Sequence, residues 1–361
     1  MATIKDIARE AGVSPSTVSN VFNGKVGKVS QKTFRQIIDI AERLGYHKLN
    51  QKSYEQNAGN APGRKRGHPV AGAGSRLIAG IALGHRQYNF LENPIHAQFF
   101  GEIIHTIQEY GYCLMLLCVE RYEQITDVLR QRHADGAIIV GAPDSIVHKL
   151  SEQLTLPITF IDSYSDKNGI SKIGIDDFGG GALAARHLLS LGHTQIAVVS
   201  YWYSYEETGA IRERVLGFES ELANSGQRLL KKNLFLVDSE KDRAFERAAE
   251  EIAGRSKEIS AVFCAGDCLA VSLIGSLAEK GIRVPEDLSV IGFDDSLIAM
   301  RLSPGLTTIR QDISQKAQIA AELLLNRIHQ AGVASQSAVL PVSLIERDTT
   351  TRNTTRSGTA Q

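Results

Sequence analysis

A chain of 361 residues is too long for one small domain and fits a compact α/β core carrying one or more small modules. Its composition, 43% hydrophobic and 22% charged, is ordinary for a globular protein. No apolar run approaches the roughly 18 residues of a membrane span, and residues 1–10 mix charge with apolar positions and lack a signal-peptide core. These features predict a cytoplasmic protein with no membrane partner. The formal net charge of +0 hides an asymmetry: residues 1–70 hold seven Lys and five Arg against two Asp and three Glu, and the remainder is acidic. A basic head on an acidic body predicts a head that meets phosphate. Four cysteines, Cys113, Cys118, Cys264 and Cys268, read as reduced thiols, and no His or Cys cluster completes a zinc site beside Cys264 and Cys268.

Residues 1–49 carry three helical patterns. Ile4, Ile7, Ala8 and Ala11 share one face, with Thr3 as the cap, Asp6 as its box-like partner, and Gly12 permitting the turn that ends the helix. Ser14 caps a second helix whose first position is Pro15, where a missing N–H costs nothing. Val18, Val21 and Phe22 form its buried stripe. Ser16, Thr17, Ser19, Asn20 and Asn23 line the opposite face as short polar groups able to enter a groove. A third helix is predicted over 30–44, with Phe34, Ile37, Ile38, Ala41 and Leu44 inward and Gly45 past its end. Two short helices joined by a tight glycine turn, with a third packed on them, make a helix-turn-helix. A three-helix interaction module has the same apolar pattern, but the basic charge and polar second helix favour DNA.

Residues 50–75 are polar, contain Gly and Pro, and lack apolar periodicity, so they read as a linker. From 76 to 348, unalternating apolar runs at 77–83, 112–119, 136–140, 158–162, 195–200, 261–264 and 288–293 alternate with helical stretches such as 97–110 and 180–191. Such runs belong to parallel strands covered on both faces, and the length predicts two lobes. The run Gly179-Gly180-Gly181 permits a phosphate cradle, though close packing explains it better. Residues 349–361 are polar and read as a frayed tail. No G-x-S-x-G elbow, P-loop or H-E-x-x-H is present, so no enzyme, catalytic residue, metal or cofactor is predicted.

The segment ATIKDIAREAGVSPSTVSNVFNG (2–24) resembles the lactose-repressor family of bacterial transcription regulators. The resemblance continues through GIDDFGGGALAARHLLSLGHTQIAVVS (174–200), RERVLGF (212–218), AVFCAGDCLAV (261–271), GIRVPEDLSVIGFDD (281–295), SPGLTTIRQD (303–312) and LPVSLIERDTT (340–350). It implies an all-α three-helix helix-turn-helix headpiece (1–49) and a linker (50–75). These join an α/β, two-lobed, periplasmic-binding-protein-like domain with parallel sheets (76–348), followed by a polar tail (349–361).

The resemblance also implies roles for particular residues. The second helix would lie in the major groove with Pro15, Ser16 and Asn20 reading bases: Asn20 pairs with adenine, Ser16 bonds either base type and Pro15 offers only apolar contact. Thr3, Ser14, Thr17, Ser19, Lys25 and Lys28 would touch phosphate. The linker departs from the family, because its apolar minor-groove wedge would fall near Gln56, and glutamine cannot wedge. Nearby, the GRKRGHP stretch at 63–69 resembles an AT-hook, making Arg64, Lys65 and Arg66 minor-groove candidates; a charged spacer is the alternative. In the body, Arg214, Asp267 and Asp294 match the family's ligand-binding positions, Phe99 and Phe100 its aromatic contacts, and Asp162 lines the same cleft. Gly266 stands where the family often has Asn. An arginine with carboxylates suits a sugar, with a sugar phosphate or nucleobase as alternatives. Each residue has a plainer reading: Phe99 and Phe100 as core, Arg214 as an ion pair between lobes, Asp294 as a turn cap. The implied protein is a ligand-responsive homodimeric repressor of a near-palindromic double-stranded DNA operator. A ligand-independent architectural DNA-binding protein and a sugar-binding module with a spare head are the competing classes.

Overall fold

The computed structural model describes residues 4–22, 33, 36, 37, 40, 76–83, 91, 93–119, 121–201, 209–237, 243–330 and 332–353. It divides into two compact units, Met1–Gly72 and Ala73–Gln361. Among the described residues no helix is long and apolar enough to cross a membrane.

In the first unit, helices Ile4–Ala11 and Pro15–Phe22 form as the pattern predicts. Gly12 adopts φ +66°, which a side chain disfavours, and the Val13 N–H closes the turn onto the Ala8 carbonyl at 3.0 Å. Ser14 Oγ caps the second helix by accepting from the Thr17 N–H at 3.1 Å. Of the predicted third helix, Thr33, Gln36, Ile37 and Ile40 are described, and all are helical. Ile37 and Ile40 bury with Ile7, Ala8, Ala11 and Val18 in one small core.

The second unit contains two six-stranded sheets. The first lobe has β1 (Leu77–Leu83), β2 (Cys113–Val119), β3 (Gly136–Val140), β4 (Ile158–Ile161), β5 (Ser171–Ile175) and β11 (Ser337–Leu340), ordered β11-β5-β4-β3-β1-β2 and wholly parallel. The second lobe has β6 (Ile196–Tyr201), β7 (Leu234–Val237), β8 (Ala261–Cys264), β9 (Ser289–Asp294), β10 (Thr307–Arg310) and β12 (Ser343–Ile345), ordered β12-β10-β9-β8-β6-β7, with β12 antiparallel to β10. The inner strands β3, β4, β8 and β9 are buried along their whole length, which is why β3 and β8 read as unbroken apolar runs and β4 and β9 as mostly apolar ones.

The chain passes between the lobes three times: at Asp176, between β5 and the helix Asp177–Ser190; at 311–312, between β10 and the helix Ile313–His329; and at 341–342, between β11 and β12. Aspartates start both crossing helices, Asp176 Oδ1 accepting from the Gly179 N–H and Asp312 Oδ1 from the Gln315 N–H, each at 2.8 Å. The Asp176 N–H donates to the Leu340 carbonyl at 2.9 Å, tying the first crossing to the third. The helix Ile313–His329 returns to the first lobe, burying Ile313, Ala317, Ala320, Ala321 and Leu324 against β3, β4, β5 and the helix Pro94–Gln108.

The expectation of a frayed tail is corrected over residues 349–353. Thr349 is fully buried. Its Oγ1 accepts from the Thr307 N–H (2.9 Å) and donates to the Val290 carbonyl (2.7 Å), and its own carbonyl accepts from the Val290 N–H (2.8 Å). His193 Nε2 donates to the Thr351 carbonyl (2.9 Å), and the Asn353 N–H donates to that of Leu191 (2.9 Å). Threonine hydroxyls here satisfy buried backbone groups, so polarity marks an ordered seam rather than solvation.

Candidate effector site and DNA-reading helix

The site is built where parallel strands end. Asp162 follows β4, Asp294 closes β9, Asp176 follows β5 and Gln311 follows β10; open α/β sheets bind ligands just beyond such carboxyl ends. Arg214, on the helix Ala210–Asn224, is only 5% exposed. Its Nε donates to Asp177 Oδ1 (2.7 Å) and its Nη1 to the Ala265 carbonyl (2.9 Å), and Nη1 forms an ion pair with Asp294 Oδ1 at 3.1 Å. The guanidinium carbon lies 3.7 Å from the Phe293 ring centroid, a cation–π seat. The Tyr164 hydroxyl, from the first lobe, donates to Asp177 Oδ2.

On the other side, Asp294 Oδ1 accepts from Gln311 Nε2 (2.6 Å), whose Oε1 accepts from Lys316 Nζ (2.9 Å). Lys316 Nζ donates to both oxygens of Asp162 at 2.9 Å. Asp162 and Tyr164 stand two residues apart, so the contacts close a ring that leaves and re-enters the first lobe. Asp267, fully buried, accepts from the Ser296 N–H (2.7 Å) and Oγ (2.9 Å) and from Thr308 Oγ1 (2.6 Å). It thereby braces the turn in which Asp294 and Asp295 take φ +120° and +54°, a conformation that persists only where contacts over-determine it.

Burial sets the electrostatics. It pushes the Asp177 carboxyl up to about 6, against the pull of Arg214. It pushes Asp267 to about 7, helped by Asp294. Asp294 is raised as well, with Arg214, Gln311 and Lys316 pulling it back. Burial opposes the charged form of Arg214, but Asp294 and Asp177 outweigh it and hold the guanidinium above its ordinary value. The arginine is therefore permanently charged, and the acids around it share the cost of desolvation.

Two glycines set where Arg214 stands. A Cβ on Gly181 would lie 1.9 Å from the Arg214 carbonyl oxygen, and one on Gly217 would lie 1.9 Å from that of Phe178. The helices Asp177–Ser190 and Ala210–Asn224 thus touch backbone to backbone. Gly180 faces the Phe293 ring, 2.6 Å from a Cβ, and Gly179 packs on its own cap, Asp176. The glycine run serves packing.

In the headpiece, Ser14, Pro15 and Ser16 are exposed while Val18 is fully buried. Ser14 Oγ sits 2.7 Å from Ser16 Oγ and 2.8 Å from Thr17 Oγ1, a hydroxyl cluster at the start of the helix.

Residues 3–48 match the model for bacterial regulatory proteins of the lacI family, and residues 185–350 match that for a periplasmic binding protein-like domain. A protein named HTH-type transcriptional repressor PurR from Vibrio cholerae is 30% identical over 362 residues, covering 97% of this chain and 98% of that one. The chain belongs to the lacI family of bacterial regulatory proteins. Among solved structures, a lac repressor dimer bound to operator and the anti-inducer ONPF is 26% identical, with a TM-score of 0.65 over 97% of this chain and 99% of that one. A lacI-family regulator from Enterococcus faecium with bound ribose is 28% identical, with a TM-score of 0.66 over 76% and 99%.

This lacI-family chain is a regulator, not an enzyme. The structure brings Arg214, Asp294 and Asp162 into one network, as the sequence places them in one cleft, and gives Asp267 a bracing position beneath it. Phe99 and Phe100 are 3% and 1% exposed, packed edge to face. A Cβ on Gly80 of β1 would meet the Phe100 ring at 2.6 Å. The expectation that they contact the effector gives way to core packing, because almost no ring surface is left to offer. Thr3, Lys25, Lys28, Arg64, Lys65 and Arg66, and the side chain of Asn20, lie outside the described residues.

Sequence reasoning missed Asp177, Tyr164, Gln311 and Lys316. One signal was available for Lys316: it interrupts the apolar stripe Ile313, Ala317, Ala320 of its helix, and a charge on a buried face needs a partner. Among the described residues one group could hold a metal ion, Asp144, His148 and Asp166, with ligand atoms within 4.8 Å of one another. His148 Nε2 lies 3.3 Å from Asp144 Oδ1, one helical turn away.

Proposed function

We propose that this regulator is a homodimeric repressor whose operator affinity is set by a small-molecule effector, a sugar, held by Arg214 and Asp294. Pro15, Ser16 and Asn20 read the bases of a double-stranded DNA operator, while Thr3, Ser14, Thr17, Ser19, Lys25 and Lys28 hold its phosphates. The observation that carries the effector reading is a pair of open atoms. Among the described residues nothing bonds Asp294 Oδ2 or Arg214 Nη2, although both groups are otherwise engaged. Gly266 leaves that oxygen uncovered, for a Cβ there would already stand 3.6 Å from it.

A sugar hydroxyl accepts and donates at once, so a polyol meets a donor and an acceptor side by side. The N–H and C=O edge of a nucleobase satisfies the same pair. A sugar phosphate would bring negative charge toward Asp177 and Asp294 and is disfavoured. Tyr164 and Phe178, 38% and 44% exposed, offer rings beside Asp177. Leu297, Ile298 and Met300, all exposed on one short helix, provide an apolar surface for the second copy.

The test is a thermal-shift titration of the full chain with D-ribose, cellobiose, hypoxanthine and D-ribose 5-phosphate, paired with operator binding. A ligand selective for the folded state raises the melting temperature, and its coupling to DNA must be reciprocal. Arg214→Met should abolish the shift; a shift that survives it places the ligand elsewhere.

A further inference from the structure

We infer that Lys316 is the specificity-determining residue of the first-lobe half of the cleft: by saturating Asp162 and anchoring Gln311, it leaves Asp294 Oδ2 as the carboxylate oxygen open to the effector. This rests on reading the Arg214–Asp294 cleft as the effector site.

Lys316 is 3% exposed and its ammonium can only donate. It meets both oxygens of Asp162 and Gln311 Oε1, all at 2.9 Å, so its donors are spent inside the protein. Asp162, expected from the sequence to line the same cleft, thereby has both oxygens occupied. Gln311 can lie only one way: its oxygen must face the ammonium and its NH₂ the carboxylate. That fixes Nε2 2.6 Å from Asp294 Oδ1, which also takes Arg214 Nη1. Asp177 has one oxygen on Arg214 and the other on Tyr164. Of the six carboxylate oxygens on these three residues, Asp294 Oδ2 alone has no partner among the described residues.

The class of effector follows. It presents one hydrogen-bond donor to Oδ2 and an acceptor to Arg214 Nη2, as a vicinal diol or a lactam edge does. Removing Lys316 changes the site in two ways at once. Gln311 loses its anchor, so Asp294 is held less firmly, and Asp162, whose side chain is 20% exposed, becomes a carboxylate that has lost its bonded cation. The charged groups facing Lys316 are Asp162 from β4 and Asp294 from β9, with Asp312 on its own helix and Arg214 and Asp177 farther round the ring. Asp162 is the one whose counter-ion disappears.

The experiment measures affinity by calorimetry for the full chain against D-glucose, D-glucosamine, D-ribose and hypoxanthine, at one mildly acidic pH that keeps the glucosamine amine protonated. The wild type should bind at least one neutral member. Lys316→Met should bind that member at least tenfold more weakly and shift preference toward cationic glucosamine, whose ammonium can pair with the Asp162 carboxylate in place of the lost lysine. Lys316→Arg should restore wild-type selectivity. Gln311→Leu, which keeps Asp162 paired, should weaken binding without the new preference for glucosamine, and it carries the test if Lys316→Met fails to fold. Unchanged affinity in both variants overturns the proposal, as does a loss in Lys316→Met that leaves the order of preference among the four ligands unchanged or that Arg does not rescue. A wild type that binds no member removes the cleft reading itself, and the proposal falls with it.

Discussion

Gly181 lies against the backbone of Arg214 so closely that a β-carbon there would sit 1.9 Å from the Arg214 carbonyl oxygen. The contact is backbone on backbone, so no side-chain rotation relieves it. Gly181→Ala must push the helix Ala210–Asn224 away and carry the guanidinium off Asp177 and Asp294. Overpacking of this kind costs about 1–3 kcal/mol, which denaturant unfolding should register. Effector binding should fall further than stability does, because a small displacement misaligns bidentate contacts. Wild-type unfolding and effector affinity in Gly181→Ala would contradict the geometry.

Stability should depend on pH through Asp177. Burial raises its folded pKa to about 6, above the ordinary 3.8 of an aspartate. Between those values the folded state holds more protons than the unfolded one, so stability falls as pH rises from about 4 to about 6 and then levels. His187 and His193, whose pKa values burial lowers, act in the opposite sense below their ordinary value. Comparing wild type with Asp177→Asn cancels the histidines. The variant should gain on the wild type by on the order of 1–3 kcal/mol across that window. Parallel stability curves for the two proteins would rule this out.

The buried seam at 349–353 makes the position of a truncation decisive. Ending the chain after Asn353 retains the seam and sets the reference. Ending it after Asp348 removes the partners of Val290, Thr307 and His193, a loss on the order of 3 kcal/mol for several buried groups left unmet. Two truncations melting at the same temperature would show the seam to be dispensable.

On DNA, Asn20→Ala should reduce discrimination between operator and random duplex by roughly tenfold or more, as the loss of one bidentate base contact does. Lys28→Ala should weaken both duplexes alike and flatten the salt dependence. Equal losses on both duplexes for Asn20→Ala would remove it from the base-reading set. Fluorescence anisotropy at two salt concentrations distinguishes the cases.

The inner strands were legible because burial on both faces leaves nothing but apolar residues: the runs at 77–83, 136–140 and 261–264 match β1, β3 and β8 residue for residue. The strands β5, β7, β10, β11 and β12 were not, since they are short and most mix polar with apolar positions, as Ser171 and Lys172 do in β5. Arg214 and Asp294 were legible through motifs that resemble the family's. Lys316 and Gln311 were not, because their roles depend on a crossing that brings residue 316 against residue 162, a relation no local pattern encodes. Phe99 and Phe100 show the converse: an aromatic pair at an expected position becomes core once Gly80 opens a slot for the ring.

The three crossings have a genetic consequence. The first lobe is assembled from 77–175 and 313–340, and the second from 177–310 and 343–345, so neither is written as one uninterrupted stretch of code. A single recombination event between two relatives cannot exchange one lobe without splitting the other. Chimaeras made at one junction would pair an inherited half of the ring with a foreign one, so Lys316 and Asp162 are expected to travel together or be lost together.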